Sequence, residues 1–170
     1  MALSSYRVIE VAALPAASYA ARIFADFGAE VILLEPPGGN AGRCAAPVID
    51  TPEGPVGAPF AFLHAGKHSL AAGLTAELLT GADVLITSDP ALDVAGLRAA
   101  HPGLVVADIS WFGRSGPYAG FAGADVVCRA LAGLVHLVGP AEGPPLVAPD
   151  FQAVTMGGLA AAIGILGALM

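Results

Sequence analysis

The sequence predicts an α/β fold: a layered domain with a mostly parallel sheet that spans residues 1–170 as a single unit. Two observations support this prediction. Short apolar runs typical of strands alternate with segments of helical periodicity, which is the pattern of layered α/β domains. In addition, 170 residues is the length of one domain, and 56% hydrophobic residues supply ample material for a core.

The first predicted unit is a strand, a helix and a second strand. Residues 8–12 form the first strand, and a loop of small residues follows at 13–18. A helix is predicted over residues 19–27 and ends at Gly28, because glycine is the usual residue after a helix. Its apolar face consists of Tyr19, Ile23, Phe24 and Phe27. Residues 29–35 contain four consecutive apolar residues, which favours a strand covered on both faces of a parallel sheet, joined by a right-handed crossover.

The alternation resumes after a long loop. Six prolines and five glycines lie in residues 36–59, so we predict a loop there, and loops of this length are often functional. Strands are predicted at residues 67–74, 83–87 and 104–109. Helices are predicted at residues 75–80, 92–100, 125–138 and 153–170.

Composition excludes some functions and indicates a partner. The formal net charge is −7, and the seven basic residues are scattered, so the chain lacks the basic patch that nucleic-acid binding requires. Only 12% of residues are charged and the mean hydropathy is +0.74, which indicates that another chain covers part of the surface. Cys44 and Cys128 form no metal-ligand motif, and we interpret them as reduced thiols of a cytosolic protein.

General catalytic motifs give no assignment. The sequence contains no G-x-G-x-x-G after the first strand, no Walker loop, no H-E-x-x-H and no G-x-S-x-G. His64 and His68 are four residues apart, but Gly66 between them disfavours a helical metal pair, and no metal is expected. Residues 153–170 carry no charge. We favour a helix buried in protein over a membrane anchor, because the segment is rich in glycine and alanine and no lysine or arginine follows Arg129. The N-terminus has no basic region before an apolar stretch, so a secretory signal is not expected.

Many short segments nevertheless occur together in one order. The most distinctive is Ile109-Ser110-Trp111-Phe112-Gly113 followed by Gly116-Pro117-Tyr118. Others lie at residues 8–11, 19–20, 24–32, 35–36, 38–43, 62–70, 82–85, 123–125, 130–134, 158–159 and 164–166. In this order they resemble the family III CoA-transferases, which include formyl-CoA and carnitine CoA-transferases and the α-methylacyl-CoA racemases. The resemblance covers nearly the whole chain.

The resemblance implies a Rossmann-like domain that binds coenzyme A or an acyl-CoA, with no covalently bound cofactor. In the transferases of this family an aspartate attacks the thioester and forms a mixed anhydride. In the racemases an acid and a histidine exchange the proton α to the thioester carbonyl. Family members are about twice as long as this chain, and two of their subunits interlock, so the chain resembles a truncated N-terminal half.

The expected reactive carboxylate is missing from its position. An ungapped alignment on residues 158–159 and 164–166 places Val154 at the aspartate of the transferases, or Ala153 at that of the racemases. A gapped alternative makes Asp150 the reactive acid, with Asp125 in support. The histidine of the racemases corresponds to Ala124. Asp125 also has a structural interpretation, because a carboxylate at the start of a helix favours the helix dipole.

The coenzyme A site is also depleted of positive charge relative to the family. The family has polar or basic residues at three positions that are Ala13, Leu33 and Pro36 in this chain. After Thr87 the family has a longer segment with an arginine, whereas the segment at residues 88–91 is short and acidic. Arg43 and Lys67 remain as candidate phosphate partners. The alternative interpretation is that both are solvated surface charges.

Three functional hypotheses follow. The first is a cytoplasmic, catalytically degenerate or accessory subunit, either a homodimer or completed by a second chain. The second is an active acyl-CoA transferase or racemase-like enzyme that uses Asp150 with support from Asp125. The third is a domain repurposed to bind another small molecule without coenzyme A.

Overall fold

A computed structural model describes residues 1–149 and 151–170 and confirms the α/β architecture. The strands are β1 (Arg7–Val11), β2 (Glu30–Glu35), β3 (Val48–Thr51), β4 (Gly54–Gly57), β5 (His68–Ala71), β6 (Val84–Thr87) and β7 (Val105–Asp108). Five of them form a parallel sheet in the order β5-β2-β1-β6-β7, and β3 and β4 form a separate antiparallel hairpin. The central strand β1 pairs with β2 on one side and β6 on the other, so successive strands are added on one side of β1 up to β5 and on its other side from β6 onward.

Helices cover both faces of the sheet, as the apolar runs of the strands predict. The helices are α1 (Pro15–Asp26), α2 (Ala58–His64), α3 (Ala76–Leu79), α4 (Val94–Ala100), α5 (Asp125–Leu131) and α6 (Gln152–Leu169). One core lies under α1 and α6 and includes Val8, Phe24 and Ile86. The other contains Ile9 and Leu85 and is covered from the side of α3 and α4. Alternate residues of β1 therefore contribute to opposite cores.

The first helix is one turn longer than predicted. It begins at Pro15 and not at Tyr19, because proline has no N–H to satisfy at the first helical position and its φ angle suits a helix. Leu14 before it is extended and caps nothing with its side chain. The predicted C-terminus is confirmed: Gly28 has a φ of +95°, a conformation that glycine adopts without strain.

The prediction of a continuous loop at residues 36–59 is wrong. This segment contains a 3-10 turn (Ala41–Cys44), the hairpin of β3 and β4, and the start of α2. Its prolines are compatible with these elements, since Pro55 lies in a two-stranded hairpin and Pro59 lies in the first turn of α2. Close packing of Gly57 on the carbonyl oxygens of Gly42 and Ala45 joins the hairpin to the turn.

The helix predicted over residues 125–138 is divided. The helix α5 ends at Leu131, and Gly133 has a φ of +79°, which a continuous helix does not allow. A 3-10 turn (Leu134–Leu137) follows.

The last helix is apolar but packs on the core along one face only. Gly158 lies against Ala16 and Tyr19 of α1, and Val154, Ala162 and Ile165 are buried. The opposite face leaves apolar side chains open to solvent, among them Met156 and Ile163, which are 65% and 62% exposed. By length and composition alone α6 could span a membrane. Its packing against α1 instead makes it a core helix with one uncovered face.

Candidate functional site

A cleft lies at the carboxyl ends of β1, β2 and β6, where the strand order reverses. Ligands of open α/β sheets bind at this position. The cleft has a volume of about 540 Å³, and its walls are the turns at residues 11–13, 40–42 and 88–90 together with Leu34 and Pro36. Most of these residues are apolar, so the cleft resembles an ordinary small-molecule pocket.

The cleft offers little to a phosphate group. Among the residues that the structure describes there, none is a lysine or arginine, and Asp89 adds a carboxylate. The backbone N–H groups of Ala13 and Leu14, which precede α1, both donate to the Ser88 hydroxyl, at 2.8 and 3.1 Å. Because those amides already have an acceptor, an anion at the start of α1 would have to displace Ser88.

Arg43, a predicted phosphate partner, is held beside this cleft by Glu35. Glu35 ends β2, and its 2%-exposed side chain accepts bonds from Arg43 Nε at 2.8 Å and Nη2 at 2.5 Å. The Ser69 hydroxyl and the Asn40 amide also donate to it. These donors, Arg43 first, lower the pKa of Glu35 to about 2. Arg43 stacks on Phe60 at 4.5 Å and keeps 43% of its side chain exposed, so it can still contact a ligand.

Lys67, the second predicted phosphate partner, lies in a buried cluster. Its side chain is 1% exposed, and its ammonium is 2.6 Å from Glu10 Oε2 and 2.9 Å from the carbonyl oxygen of Ser18. The interpretation of Lys67 as a solvated surface charge is therefore wrong. Phosphate binding by Lys67 stays a prediction, and it would require a phosphate to displace Glu10, whose side chain is fully buried.

His64 completes the buried cluster in its neutral form. Its Nδ1 lies 3.2 Å from the Lys67 ammonium, which can only donate, so Nδ1 is the unprotonated acceptor. Burial, followed by the charge of Lys67, lowers the pKa of His64 to about 3. Burial also lowers the pKa of Lys67, while the charge of Glu10 opposes that shift.

The neutral state of His64 predicts a loss of stability in weak acid. The folded protein holds the pKa of His64 at about 3 against an ordinary 6.5, so the unfolded chain binds the proton more readily below pH 6.5. The free energy of unfolding should therefore fall as pH decreases from 7 to 5, a range above the titration of Glu35. In His64→Gln this part of the pH dependence should disappear. Urea unfolding of both proteins at several pH values measures it, and equal slopes would contradict the assignment.

The start of α6 is the position where the sequence predicts a reactive carboxylate. The structure places Val154 there with 4% exposure, in the first turn of the helix. Asp150, the other predicted acid, lies outside the described residues. Asp125 is close by, since its Oδ1 accepts a bond from the Val154 amide at 3.0 Å. Asp125 also pairs with Arg129 Nε at 2.7 Å, and Arg129 donates to the carbonyl oxygen of Ala148 at 2.8 Å.

Asp125 therefore acts as a capping group for α6. The residue at the cap position, Phe151, has no side-chain acceptor, so the α5 carboxylate satisfies one of the free amides of the helix. Sequence reasoning predicted Asp125 as structural or supporting, and the contact is compatible with both roles. Sequence reasoning did not identify Arg129, Glu10 or Glu35 as functional or structural partners. The feature that could have indicated them is a charged residue within a largely apolar segment, because such a residue is buried only when it is paired.

Two small pockets flank Val154, each with a volume of about 180 Å³. One lies among α1, α2 and α6 and includes Tyr19 and Phe62; the other lies beside Trp111 and Cys128. Within the described residues neither pocket is lined by a carboxylate. Burial raises the pKa of the Cys128 thiol, with a contribution from Asp125, so this thiol is a poor nucleophile. Throughout residues 1–149 and 151–170, no group of three histidine, cysteine or acidic side chains is arranged to hold a metal ion.

Comparison with known proteins identifies the family. The model of CoA-transferase family III matches residues 3–170. The chain belongs to CoA-transferase family III. A crystal structure of a CAIB/BAIF family protein from Brucella suis is similar to it with a TM-score of 0.87 and 32% identity, over 98% of this chain and 48% of that one.

Curated relatives of this CoA-transferase family III chain are considerably longer. The succinate–glutarate CoA-transferase of Agrobacterium fabrum is 34% identical over 166 residues, which are 86% of this chain and 41% of that protein. Subunit BbsE of the succinyl-CoA:(R)-benzylsuccinate CoA-transferase of Thauera aromatica is 34% identical over 95% of this chain and 43% of its own length. The chain thus spans less than half of these relatives.

Proposed function

We propose that this chain is a catalytically degenerate, accessory subunit of a family III CoA-transferase that acts with a second chain in acyl-CoA metabolism. The start of α6 carries this proposal. In the family resemblance Val154 stands at the nucleophilic aspartate of the transferases, and here it is a buried valine. A valine has no oxygen with which to attack a thioester, so this position cannot form a mixed anhydride.

The engagement of Asp125 supports the same proposal. A general base needs a carboxylate oxygen within reach of the substrate proton. One oxygen of Asp125 is bonded to the Val154 amide and the other is paired with Arg129. Both contacts hold the carboxylate in a fixed position, where it acts as a structural group.

The charge distribution around the cleft indicates weak binding of coenzyme A. The three phosphate groups of coenzyme A favour lysine and arginine partners. Each charge-assisted hydrogen bond to a phosphate contributes about 1.5–3 kcal/mol to binding. Here Arg43 is an exposed guanidinium beside the cleft, and its ion pair with Glu35 already offsets its charge. Arg114, which donates to the carbonyl oxygens of Asp89 and Pro90, is likewise paired with Asp108. Coenzyme A thioesters remain the ligand class that the family implies, with Arg43 as first contact and Lys67 as a second only after rearrangement.

A second chain is supported by the surface and by the relatives. Apolar side chains of α6 and of the 3-10 turn at residues 134–137 are exposed, including Ile163 and Leu137. Covering such surface contributes about 25 cal/mol per Å². The relative BbsE, of which this chain matches 43%, is named as one subunit of an enzyme. We place this assembly in the cytoplasm, either as a homodimer or with a chain that supplies the remaining half.

The proposal is tested by incubating the purified chain with succinyl-CoA and with branched acyl-CoA thioesters. We expect no covalent adduct by mass spectrometry, no exchange of the α-proton in heavy water and no release of coenzyme A. Asp150→Ala should behave like the wild type. An adduct or proton exchange that Asp150→Ala abolishes would overturn the proposal in favour of an active enzyme.

One observation favours that second candidate function, an acyl-CoA transferase or racemase-like enzyme using Asp150. Phe151 has a φ of +72°, and left-handed backbone at a large non-glycine residue is concentrated at functional sites. The contacts of Asp125 and Arg129 hold Val154 and Ala148 on either side of this segment.

A third candidate function is the binding of a different small molecule in the cleft. Tight binding of coenzyme A, measured by calorimetry, would exclude this candidate.

A further inference from the structure

The cleft at the carboxyl ends of β1, β2 and β6 has one wall that Glu35 fixes. The Glu35 carboxylate accepts the Asn40 amide at 2.7 Å and two nitrogens of Arg43, Nε at 2.8 Å and Nη2 at 2.5 Å. These bonds hold the turn at residues 40–42, which lines the cleft on the β2 side. The guanidinium also stacks on the Phe60 ring at 4.5 Å. Arg43 is therefore part of the wall, and Glu35 offsets its charge.

Arg114 fixes the wall on the β6 side in a similar way. Its Nη1 donates to the carbonyl oxygens of Pro90 and Leu92 at 3.0 and 3.1 Å, and its Nη2 donates to that of Asp89 at 2.7 Å. Asp108, at the end of β7, is its ion-pair partner. The guanidinium is thus committed to the turn after β6. With both walls held by such bonds, the cleft is a preformed site.

The lining of the cleft is negatively charged. Asp89 is the one charged side chain among the described residues that line it. Its Oδ1 accepts the Ala91 amide at 2.9 Å, which holds the carboxylate in place, and an ionised carboxylate has acceptor capacity beyond that one bond. The amides of Ala13 and Leu14 are already bonded to the Ser88 hydroxyl. A phosphate group would therefore meet a negative charge and occupied amides.

The other lining residues suit a flat, uncharged ligand that carries hydroxyl groups. Val11, Leu34 and Pro36 provide apolar walls, and Asn40 and Ser88 add an amide and a hydroxyl. A carboxylate accepts hydrogen bonds from ribose hydroxyls, which is how an acidic residue holds ribose in dinucleotide-binding sheets. The volume of about 540 Å³ is typical of small-molecule sites. A nucleoside combines the required features, because it has a planar base, a diol and no charge.

We propose that the cleft binds an uncharged nucleoside, with the ribose diol on Asp89 and the base between the apolar walls, and that it discriminates against phosphorylated ligands, coenzyme A included. This inference goes beyond the accessory role, because it concerns the cleft and not the start of α6. It holds whether or not the chain is catalytic. Each phosphate brings further negative charge close to the carboxylate and should weaken binding by about tenfold.

The ligand class is tested by calorimetry on the purified chain at neutral pH. The probes are adenosine, guanosine, cytidine and uridine, followed by 2′,3′-dideoxyadenosine, adenosine 5′-monophosphate, adenosine 3′,5′-bisphosphate and coenzyme A. We expect the nucleosides to bind tightest, the dideoxy compound to bind at least about tenfold more weakly than adenosine, and affinity to fall with each phosphate. Binding of none of the nucleosides, equal binding of the dideoxy compound, or tighter binding of the bisphosphate or coenzyme A would overturn the proposal.

The role of the carboxylate is tested with charge variants of the cleft. Asp89→Asn retains an oxygen for the Ala91 amide, so the turn should persist, while adenosine affinity should fall by about tenfold. Asp89→Lys should reverse the preference, so that the bisphosphate binds more tightly than adenosine. The control Asp50→Asn makes the same change in net charge on exposed β3, outside the lining, and should leave every affinity unchanged.

Equal effects of Asp89→Asn and Asp50→Asn, or an unchanged ligand preference in Asp89→Lys, would overturn the assignment of the carboxylate. Thermal unfolding of each variant checks that the fold is retained. Thioester assays on the same samples test catalytic degeneracy separately. An active enzyme with this ligand preference would overturn the accessory role and leave the nucleoside site standing, and an inactive chain that prefers coenzyme A would do the reverse.

Discussion

Lys67→Met is expected to lower the free energy of unfolding by about 3–5 kcal/mol, because it leaves a buried carboxylate without its counter-ion. The Glu10 side chain is fully buried, and its Oε2 lies 2.6 Å from the Lys67 ammonium. Among the described residues its Oε1 has no hydrogen-bond partner, and it lies 3.9 Å from Nδ1 of His64, a neutral ring that cannot replace the ammonium. Methionine retains most of the side-chain volume, so the loss reports on charge and not on a cavity. Urea unfolding at pH 7 measures it.

The charge explanation has two internal controls. The double variant Glu10→Met and Lys67→Met should recover most of the stability, since a well-packed apolar pair can replace a buried ion pair. Arg7→Met removes a surface pair whose side chains are both 44% exposed and should cost less than about 1 kcal/mol. Equal losses for Arg7→Met and Lys67→Met would contradict the burial argument.

The alternating pattern of the chain was sufficient to predict its sheet, because buried parallel strands require continuous apolar runs. Residues 83–87 and 104–109 were recognised for that reason and form β6 and β7. The hairpin of β3 and β4 was missed because its strands are four residues long and rich in proline and glycine. Its residues are mostly exposed, so no hydrophobic periodicity marks them. The broken helix at Gly133 was missed because its apolar pattern continues into the 3-10 turn.

The candidate site was less predictable, because its charges act through partners distant in sequence. Glu10 and Lys67 are 57 residues apart, and Ser88 occupies the amides of Ala13 and Leu14 across a separation of 75 and 74 residues. No local pattern encodes such pairs. Sequence reasoning could detect that few basic residues remained, but it could not show that Lys67 is committed to Glu10. The valine at position 154 was visible in the sequence; its bond to Asp125 required the fold.

Gly158→Ala is expected to lower the free energy of unfolding by about 1–3 kcal/mol, although alanine is the better helix former by about 1 kcal/mol. At Gly158 the helix α6 approaches α1 closely. A Cβ there would lie 2.6 Å from the carbonyl oxygen of Ala16 and 2.9 Å from the ring of Tyr19. The nearest obstacle is helix backbone, which cannot rotate away as a side chain can. The two helices must therefore separate, and the core that they share loses contact.

Gly164→Ala provides the matched control, because it lies on the same helix and an added Cβ meets nothing within 4 Å. Helix propensity alone then acts, and this variant should gain up to about 1 kcal/mol. The two substitutions are chemically identical and should have opposite signs in urea unfolding followed by circular dichroism. If Gly158→Ala also stabilised the protein, α6 would not be packed on α1 at this distance. The uncovered face of α6, which depends on this packing, would then have to be reassigned.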